Sequence, residues 1–494
     1  MTNTPTSWAV LPIVELLAPN QNGKPFQQGW SPQCESQPAL EGKWGVLKTT
    51  AIQHGQFWDH QNKQLPEALE PRPQLEVREG DLLMTCAGPR SRCGVVCLVE
   101  RTRSKLMMSG KIYRFRPLSE VLDARFLSYF IQSRPAQLAI DRMKTGISDS
   151  GLNLTHDRFA TLPVPVAPLS EQRRIVQKID ELLTELDRGI ESLTLARERL
   201  GAQRQSILKH AFEGKLSGAQ RDISPSKTQR RASADNKTLK MPDDLKEYCT
   251  DIWTWHRLGD VSDVTGGLTK NPKRSSFPLT MKYLRVANVY ADRLELEDVA
   301  EIGVTEEERH SIKLKSGDLL LVEGNGSVGQ IGRAAMWNGE LDEIGHQNHL
   351  IRVRLAHGNL PRFFLLFLLS PLGRDLIVRQ ASSTSGLHTL SVSKVSDLPV
   401  PVPNEKEQRA IIEMLEGPLS QIDKQSEYIE TTLRKCATLR ESILQQAFSG
   451  RLVEQDPSDE PVSVLMQRIR LRQEEHNTSS RGRSNKKGNK KEAA

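Results

Sequence analysis

The sequence lacks long apolar runs, an export signal and abundant cysteine. Its longest apolar stretch, Phe363 to Leu369, has seven residues, whereas a membrane span needs about 20. The N-terminus has no basic start followed by an apolar stretch. Six cysteines are scattered over 494 residues, which is typical of reduced thiols. These absences predict a cytoplasmic protein with no membrane segment.

Catalytic and cofactor motifs are missing too. No Gly-Lys pair is followed by Ser or Thr, so there is no phosphate loop for ATP, and the chain has no Pro-Pro dipeptide of the amino-methyltransferase type. The glycine run 324–329 has dinucleotide-loop spacing, but strand-like residues flank it on both sides where such a site needs a following helix. The cysteine and histidine spacings fit no zinc site. We expect no catalytic residue, no metal and no cofactor bound by this chain.

The net charge of +7 gives little support for nucleic-acid binding by the body of the chain. Six lysines and arginines, against one glutamate, lie in residues 477–494, which we predict to be a basic disordered tail. Because the remainder is nearly neutral, DNA binding would have to use local basic patches.

An internal repeat dominates the sequence. Residues 162–216 align without a gap on residues 398–452, with 20 identities in 55 positions. Upstream, Gly80-Asp-Leu-Leu83 matches Gly317-Asp-Leu-Leu320 more faintly. Apolar residues at mostly 3–4 spacing mark each conserved stretch as a coiled-coil helix, and Pro418 should kink the second. The helices are alike, whereas the globular parts that precede them have diverged.

This repeat predicts the domain organisation. We expect an α/β (α+β) fold with two globular domains, each followed by a long helix, and the helices pairing as an antiparallel coiled coil. The predicted segments are a first head (1–161), helix 1 (162–216), a flexible linker (217–250), a second head (251–397), helix 2 (398–452), a short C-terminal helix (453–476) and the tail (477–494).

The chain resembles the specificity subunits of type I restriction–modification systems. The resemblance is carried by Leu-Pro-Val-Pro followed by Glu171-Gln172-Arg173 in one copy and Glu407-Gln408-Arg409 in the other, and by Ser-Ile-Leu running into Ala-Phe-x-Gly at the helix ends. In the second head, residues 283–289, 317–320, 331–334 and 346–349 also look like family signatures.

The resemblance implies a non-catalytic subunit with two target recognition domains. Each would read one half of a bipartite, asymmetric DNA sequence, while the helices separate the heads and dock two methyltransferase subunits. Those subunits would bind S-adenosylmethionine and methylate adenine, and a separate restriction subunit would use ATP and Mg. From the helix motifs we take the following as partner-binding candidates: Glu171, Gln172, Arg173, Ile207, Phe212, Glu407, Gln408, Arg409, Ile443 and Phe448.

Basic and amide side chains are the DNA-contact candidates, because Arg, Lys, Asn and Gln read base edges and hold phosphates. In the first head they are Lys48, Arg90, Arg92, Lys105, Lys111 and Arg114; in the second they are Arg285, Asn288, Asn325, Gln330, Arg333, Gln347, Asn348 and His349. Each of them is also compatible with an ordinary solvated surface position. The first head has Ser109-Gly-Lys111 where the second has Gln347-Asn-His349.

Two other functions remain open from sequence. One is a stand-alone tandem DNA-binding regulator that needs no enzyme partner. The other is a coiled-coil scaffold with no role on DNA.

Overall fold

The computed structural model describes residues 5–213, 253–325, 330–384 and 387–471. The predicted linker and basic tail lie outside these residues. The chain divides into two compact units, residues 1–192 with 431–494, and residues 193–430. We call them unit 1 and unit 2. Each unit therefore combines one head with a segment from both long helices.

Unit 1 contains the first head, which pairs its strands into small sheets. Its elements are β1 Ala9–Pro12, β2 Gln27–Gln28, β3 Gly45–Leu47, β4 Asn62–Gln64, β5 Leu82–Thr85, β6 Ala87–Gly88, β7 Val96–Leu98, β8 Leu106–Met107, β9 Ile112–Phe115, α1 Ala124–Gln132, α2 Arg134–Met143, β10 Leu152–Asn153, α3 His156–Ala160, β11 Pro163–Val166 and the start of α4 Leu169–Phe212. A further helical stretch covers 462–471. It buries Val462, Leu465 and Ile469 in the core of this head, as the predicted C-terminal helix requires.

Unit 2 contains the second head. Its elements are β12 Thr254–Arg257, β13 Ser262–Gly266, β14 Leu279–Leu284, β15 Val289–Tyr290, β16 Arg293–Leu294, β17 Ala300–Val304, α5 Glu306–Ile312, β18 Leu319–Val322, β19 Gly324–Asn325, β20 Ala334–Met336, β21 Ile344–His346, β22 Leu350–Leu355, α6 Pro361–Leu369, α7 Pro371–Gln380, β23 Ser382–Thr384, β24 Leu387–Thr389, α8 Val392–Ser396, β25 Pro399–Val402 and the start of α9 Glu405–Ala447.

The two heads repeat one topology. A four-stranded sheet has the order β2-β9-β5-β7 in the first head and β13-β22-β18-β20 in the second, and a three-stranded sheet β4-β3-β8 corresponds to β17-β14-β21. The Leu-Pro-Val-Pro motifs form β11 and β25, which pair with β1 and β12. The Gly-Asp-Leu-Leu motifs place Asp81 and Asp318 at the start of a central strand. Both carboxylates are buried and bind arginines of the neighbouring strand, Arg114 and Arg354.

The long helices pair in antiparallel fashion inside each unit. In unit 1, Glu171 near the start of α4 is bound by Gln455 beyond the end of α9, and Asp187 further along α4 binds Arg440 further back on α9. In unit 2, Arg204 of α4 binds Asp423 of α9 at 2.5 Å. The predicted α+β fold with long paired helices is thereby confirmed.

Two prolines, Pro371 and Pro418, lie within predicted helical segments. The apolar pattern of residues 360–381 predicts one helix, but the structure has two. Pro371 begins α7, and Ser370 is the extended cap between the two helices. Pro418, by contrast, lies inside α9, which continues through it. Among the described helices none is long and apolar enough to cross a membrane.

Candidate nucleic-acid interface

A pair of parallel strands places the second head's candidates at one edge. Strand β14 runs parallel to β21, with Leu284 opposite His346, and the Gln347 amide donates to the Leu284 carbonyl at 2.9 Å. The carboxyl ends of parallel neighbours lie at the same edge of a sheet. Arg285, which follows β14, and residues 347–349, which follow β21, are therefore brought together there.

The first head builds the same edge with different side chains. Strand β3 runs parallel to β8, so Lys48 and the turn ending at Lys111 lie at their carboxyl ends. The Cys86 amide donates to the Lys111 carbonyl at 2.9 Å, and the Glu323 amide donates to the His349 carbonyl at the same distance. Lys111 thus occupies the backbone position of His349.

A hairpin that sequence reasoning missed joins this edge in both heads. In the first head Thr145 bridges to Asn153, and β10 pairs with β6; in the second, β24 pairs with both β23 and β19. The pairings β10–β6 and β24–β19 are two residues long, and they join segments more than 60 residues apart in sequence. Only the repeated Ser-Gly-Leu at 150–152 and 385–387 could have signalled the hairpin.

Several second-head candidates support the edge from inside. Asn288 is buried, and its amide group donates to the carbonyls of Glu295 and Asp298 at 2.8 and 2.9 Å. Arg285 binds the exposed Asp298 carboxylate at 2.7 Å. Asn288 therefore shapes the loop, and Asp298 holds one guanidinium nitrogen of Arg285.

Arg333 lies over a tyrosine ring and donates a hydrogen bond to Gln330. Arg333 donates to the Val286 carbonyl at 3.2 Å and to Gln330 at 3.1 Å, with its guanidinium 5.2 Å from the centre of the Tyr290 ring. Gln330 is exposed. Stacking on the ring holds the guanidinium without using all of its donors. The side chain of Asn325 lies outside what the structure describes, although its backbone pairs with His388.

The turn after β21 presents the remaining second-head candidates. His349 is exposed, and its Nδ1 lies 2.7 Å from a Glu323 carboxylate oxygen. Gln347 and Asn348 are half-buried; within the described ranges their side chains make no hydrogen bond. Just before them His346 is fully buried, and burial, with a smaller contribution from Arg352, lowers the pKa of its imidazole to about 4.

Three of the six candidates in the first head donate hydrogen bonds to carbonyls or to a buried carboxylate within that head. Arg92 donates to the Thr49 and Ile52 carbonyls at 2.6 Å each, and Arg114 binds the buried Asp81 at 3.0 Å. Both are used by the fold. Lys105 is tied to the Gly42 carbonyl at 2.8 Å.

Arg90, Lys48 and Lys111 remain at the surface. Arg90 pairs with Asp141 and with Asp149 of the hairpin, and these two contacts raise the pKa of its guanidinium. Lys48 and Lys111 make no ion pair within the part of the chain that the structure describes. Of the six candidates, these two lysines are the cations most available to a phosphate.

The partner-binding candidates lie mainly inside the protein. Glu171 accepts the Trp8 indole N–H at 3.0 Å and Glu407 that of Trp253 at 2.7 Å, while Gln172 and Gln408 are fully buried. The helix-end candidates Ile207, Phe212, Ile443 and Phe448 pack in the head cores. These eight residues therefore contribute to head–helix packing, and their role in partner binding stays a prediction. Arg173 and Arg409 are exposed, and their role in partner binding stays a prediction.

No group of His, Cys, Asp or Glu in the described residues has the arrangement of a metal site. What the fold builds is a duplicated polar edge, carried on paired helices, with different side chains in the two copies. These features define a class of two-headed sequence readers.

The chain belongs to the family described as "Type I restriction modification DNA specificity domain", whose profile matches residues 35–193 and 251–434. It is 37% identical over 184 residues to the EcoEI specificity subunit of Escherichia coli, a match that spans 37% of this chain and 30% of that protein. It is 26% identical over 425 residues to the EcoKI specificity subunit of Escherichia coli strain K12, covering 84% of each. A solved structure described under "Structural basis underlying complex assembly and conformational transition of the type I R-M system" has the same fold, with a TM-score of 0.61 and 18% identity over 91% of this chain and all of that one.

Proposed function

We propose that this chain is the DNA-specificity subunit of a type I restriction–modification complex, and that each head reads one half of a two-part target. The observation that carries the proposal is the duplicated edge. The same backbone positions hold Lys48 and Lys111 in one head and Arg285 and His349 in the other. Equivalent frames with different side chains are what two unequal half-sites require.

In this proposal the chain supplies binding and orientation, and partners supply the chemistry. Two methyltransferase subunits bind S-adenosylmethionine and methylate adenine in double-stranded DNA, and restriction subunits use ATP and Mg. Their docking surface is formed by exposed parts of the long helices, which include Arg173, Arg409 and Met414. This chain itself binds no cofactor.

Co-expression with a methyltransferase subunit tests the proposal. The complex should contain two methyltransferase copies for each specificity chain and should methylate adenine in specific duplexes with labelled S-adenosylmethionine. The chain alone should transfer no label. A chain that binds a defined sequence tightly without capturing a methyltransferase would instead be a regulator, and one that binds no DNA in either state would be a scaffold.

A further inference from the structure

Asp292 occupies the turn between β15 and β16 in the second head. Its φ of 60° is left-handed, and its amide donates to the Ala334 carbonyl at 2.9 Å. The side chain is only 10% exposed. A two-residue turn with a fixed backbone therefore directs a carboxylate away from solvent.

The carboxylate of Asp292 binds an arginine of the long helix α4. One oxygen lies 2.6 Å from Arg204, and the other accepts from Arg362 in the first turn of α6. Arg204 is itself only 18% exposed and also binds Asp423 of α9 at 2.5 Å. Two arginines and two aspartates thus form a charge-balanced network that connects the second head to both helix segments of unit 2.

In the described part of the first head, no carboxylate takes the place of Asp292; that head contacts α4 instead through Arg125 and Tyr129, both of which bind Asp180. Gly55 takes the place of Asp292, since its φ is also left-handed at 76° and its amide donates to the equivalent carbonyl, that of Val96, at 3.1 Å. The repeat partner of Arg204 is Arg440, which binds Asp187, the repeat partner of Asp423. In the described part of unit 1, Asp187 is the single carboxylate paired with Arg440.

We propose that Asp292 is a positioning residue that fixes the orientation of the second head on α4 and thereby sets the spacing between the two half-sites. The inference rests on the proposed function and adds a residue to it. Asp292 selects no base; it acts through Arg204.

The geometry of attachment explains why one contact has this effect. Phe212 of α4 is buried against Phe363 and Phe367 of the second head, with ring centres 5.5 and 5.4 Å away. Arg204 lies eight residues earlier, about 12 Å along the helix. Leu208 and Ala211 of α4 and Leu415 and Leu419 of α9 lie in the same core. These apolar contacts are not directional. The charge-assisted hydrogen bonds at Arg204 are directional, and they restrain the orientation of the head at a second point along α4.

The test is a genome-wide map of methylated adenines in cells that carry the methyltransferase partner and either the natural chain or a variant. Asp292→Asn and Asp292→Gly both tolerate a left-handed φ, and the second copies the first head's Gly55. We expect both variants to keep the bases of both half-sites. The fraction of modified sites whose spacer is one base pair longer or shorter should rise about tenfold, as expected for the loss of about 1.4 kcal/mol of positional preference.

A matched pair of arginine variants separates the network from the helix contact. Arg204→Gln removes the interhelix ion pair and the Asp292 contact, whereas Arg440→Gln removes only the equivalent interhelix pair. The first should relax the spacing and the second should not. The inference would be overturned if Arg204→Gln and Arg440→Gln relaxed the spacing equally. It would also be overturned if an Asp292 variant had a lower melting temperature and unchanged spacing, or if it changed the bases of a half-site. A natural chain without any two-part motif would instead refute the proposed function.

Discussion

Phe212 and Phe448 test whether the conserved helix ends serve the fold or a partner. Phe212 is 2% exposed and packs edge-to-face against Phe363 and Phe367. Its repeat mate Phe448 is 7% exposed, with ring centres 5.1 and 5.4 Å from Phe126 and Phe130. Deleting a buried phenyl ring costs about 3–5 kcal/mol. We expect Phe212→Ala to lower the free energy of unfolding of unit 2 by about 4 kcal/mol.

Calorimetry of the full chain measures this effect. For a unit of this size about 4 kcal/mol corresponds to a fall of about 8–16 °C in melting temperature. Phe448→Ala should produce a similar fall in unit 1. Leu195→Ala, on the exposed face of α4, is the control and should change the free energy by less than about 0.5 kcal/mol. Suppose both phenylalanine variants melted at the temperature of the natural chain but no longer captured the methyltransferase. That result would refute the packing assignment and support a role of the two rings in partner binding.

Three further perturbations follow from the described contacts. Asp318→Asn should lower the free energy of unfolding by about 3 kcal/mol in urea titrations, because Asp318 is buried and Arg354 donates to it twice at 2.7 Å; a loss below about 1 kcal/mol would contradict this. The folded pKa of His346 is about 4, below its ordinary 6.5, so protonation favours the unfolded state, and stability should fall by at most roughly 3 kcal/mol as the pH drops from 6.5 to 4. His346→Gln should flatten that part of the pH profile, and an unchanged profile would count against the assignment. Lys111→Ala should reduce the slope of log affinity against log salt by about 1 in DNA binding by the complex; an unchanged slope, or an equal change in the helix variant Lys178→Ala, would remove Lys111 from the interface.

The architecture was predictable because it depends on patterns that are local or repeated. The apolar 3–4 spacing predicts the long helices, and the repeat at residues 162–216 and 398–452 predicts the two heads. The sequence-based reasoning erred where proline acts as a helix start. The pattern of residues 360–381 predicts a single helix, whereas Pro371 begins a second one, because its ring fixes a backbone angle suited to a first helical turn.

Individual site residues were less predictable, because one residue type serves both the fold and a ligand. Arg92, Arg114 and Asn288 have the chemistry of base readers, but their donors are used by backbone carbonyls or by a buried carboxylate. The Glu-Gln pairs at 171–172 and 407–408 mark the family, yet they bind tryptophans and backbone groups inside each head. Only the hydrogen bonds seen in the structure show which of these side chains still have donors for DNA.

Exchange of one head tests the central claim, that each head reads its own half of the target, most directly. Residues 251–396 would be replaced by the second head of another family member, and methylated adenines would be mapped across the genome of cells carrying the methyltransferase partner. The account predicts that one half of the recognised sequence changes while the other half stays the same. A change in both halves, or in neither, would contradict it.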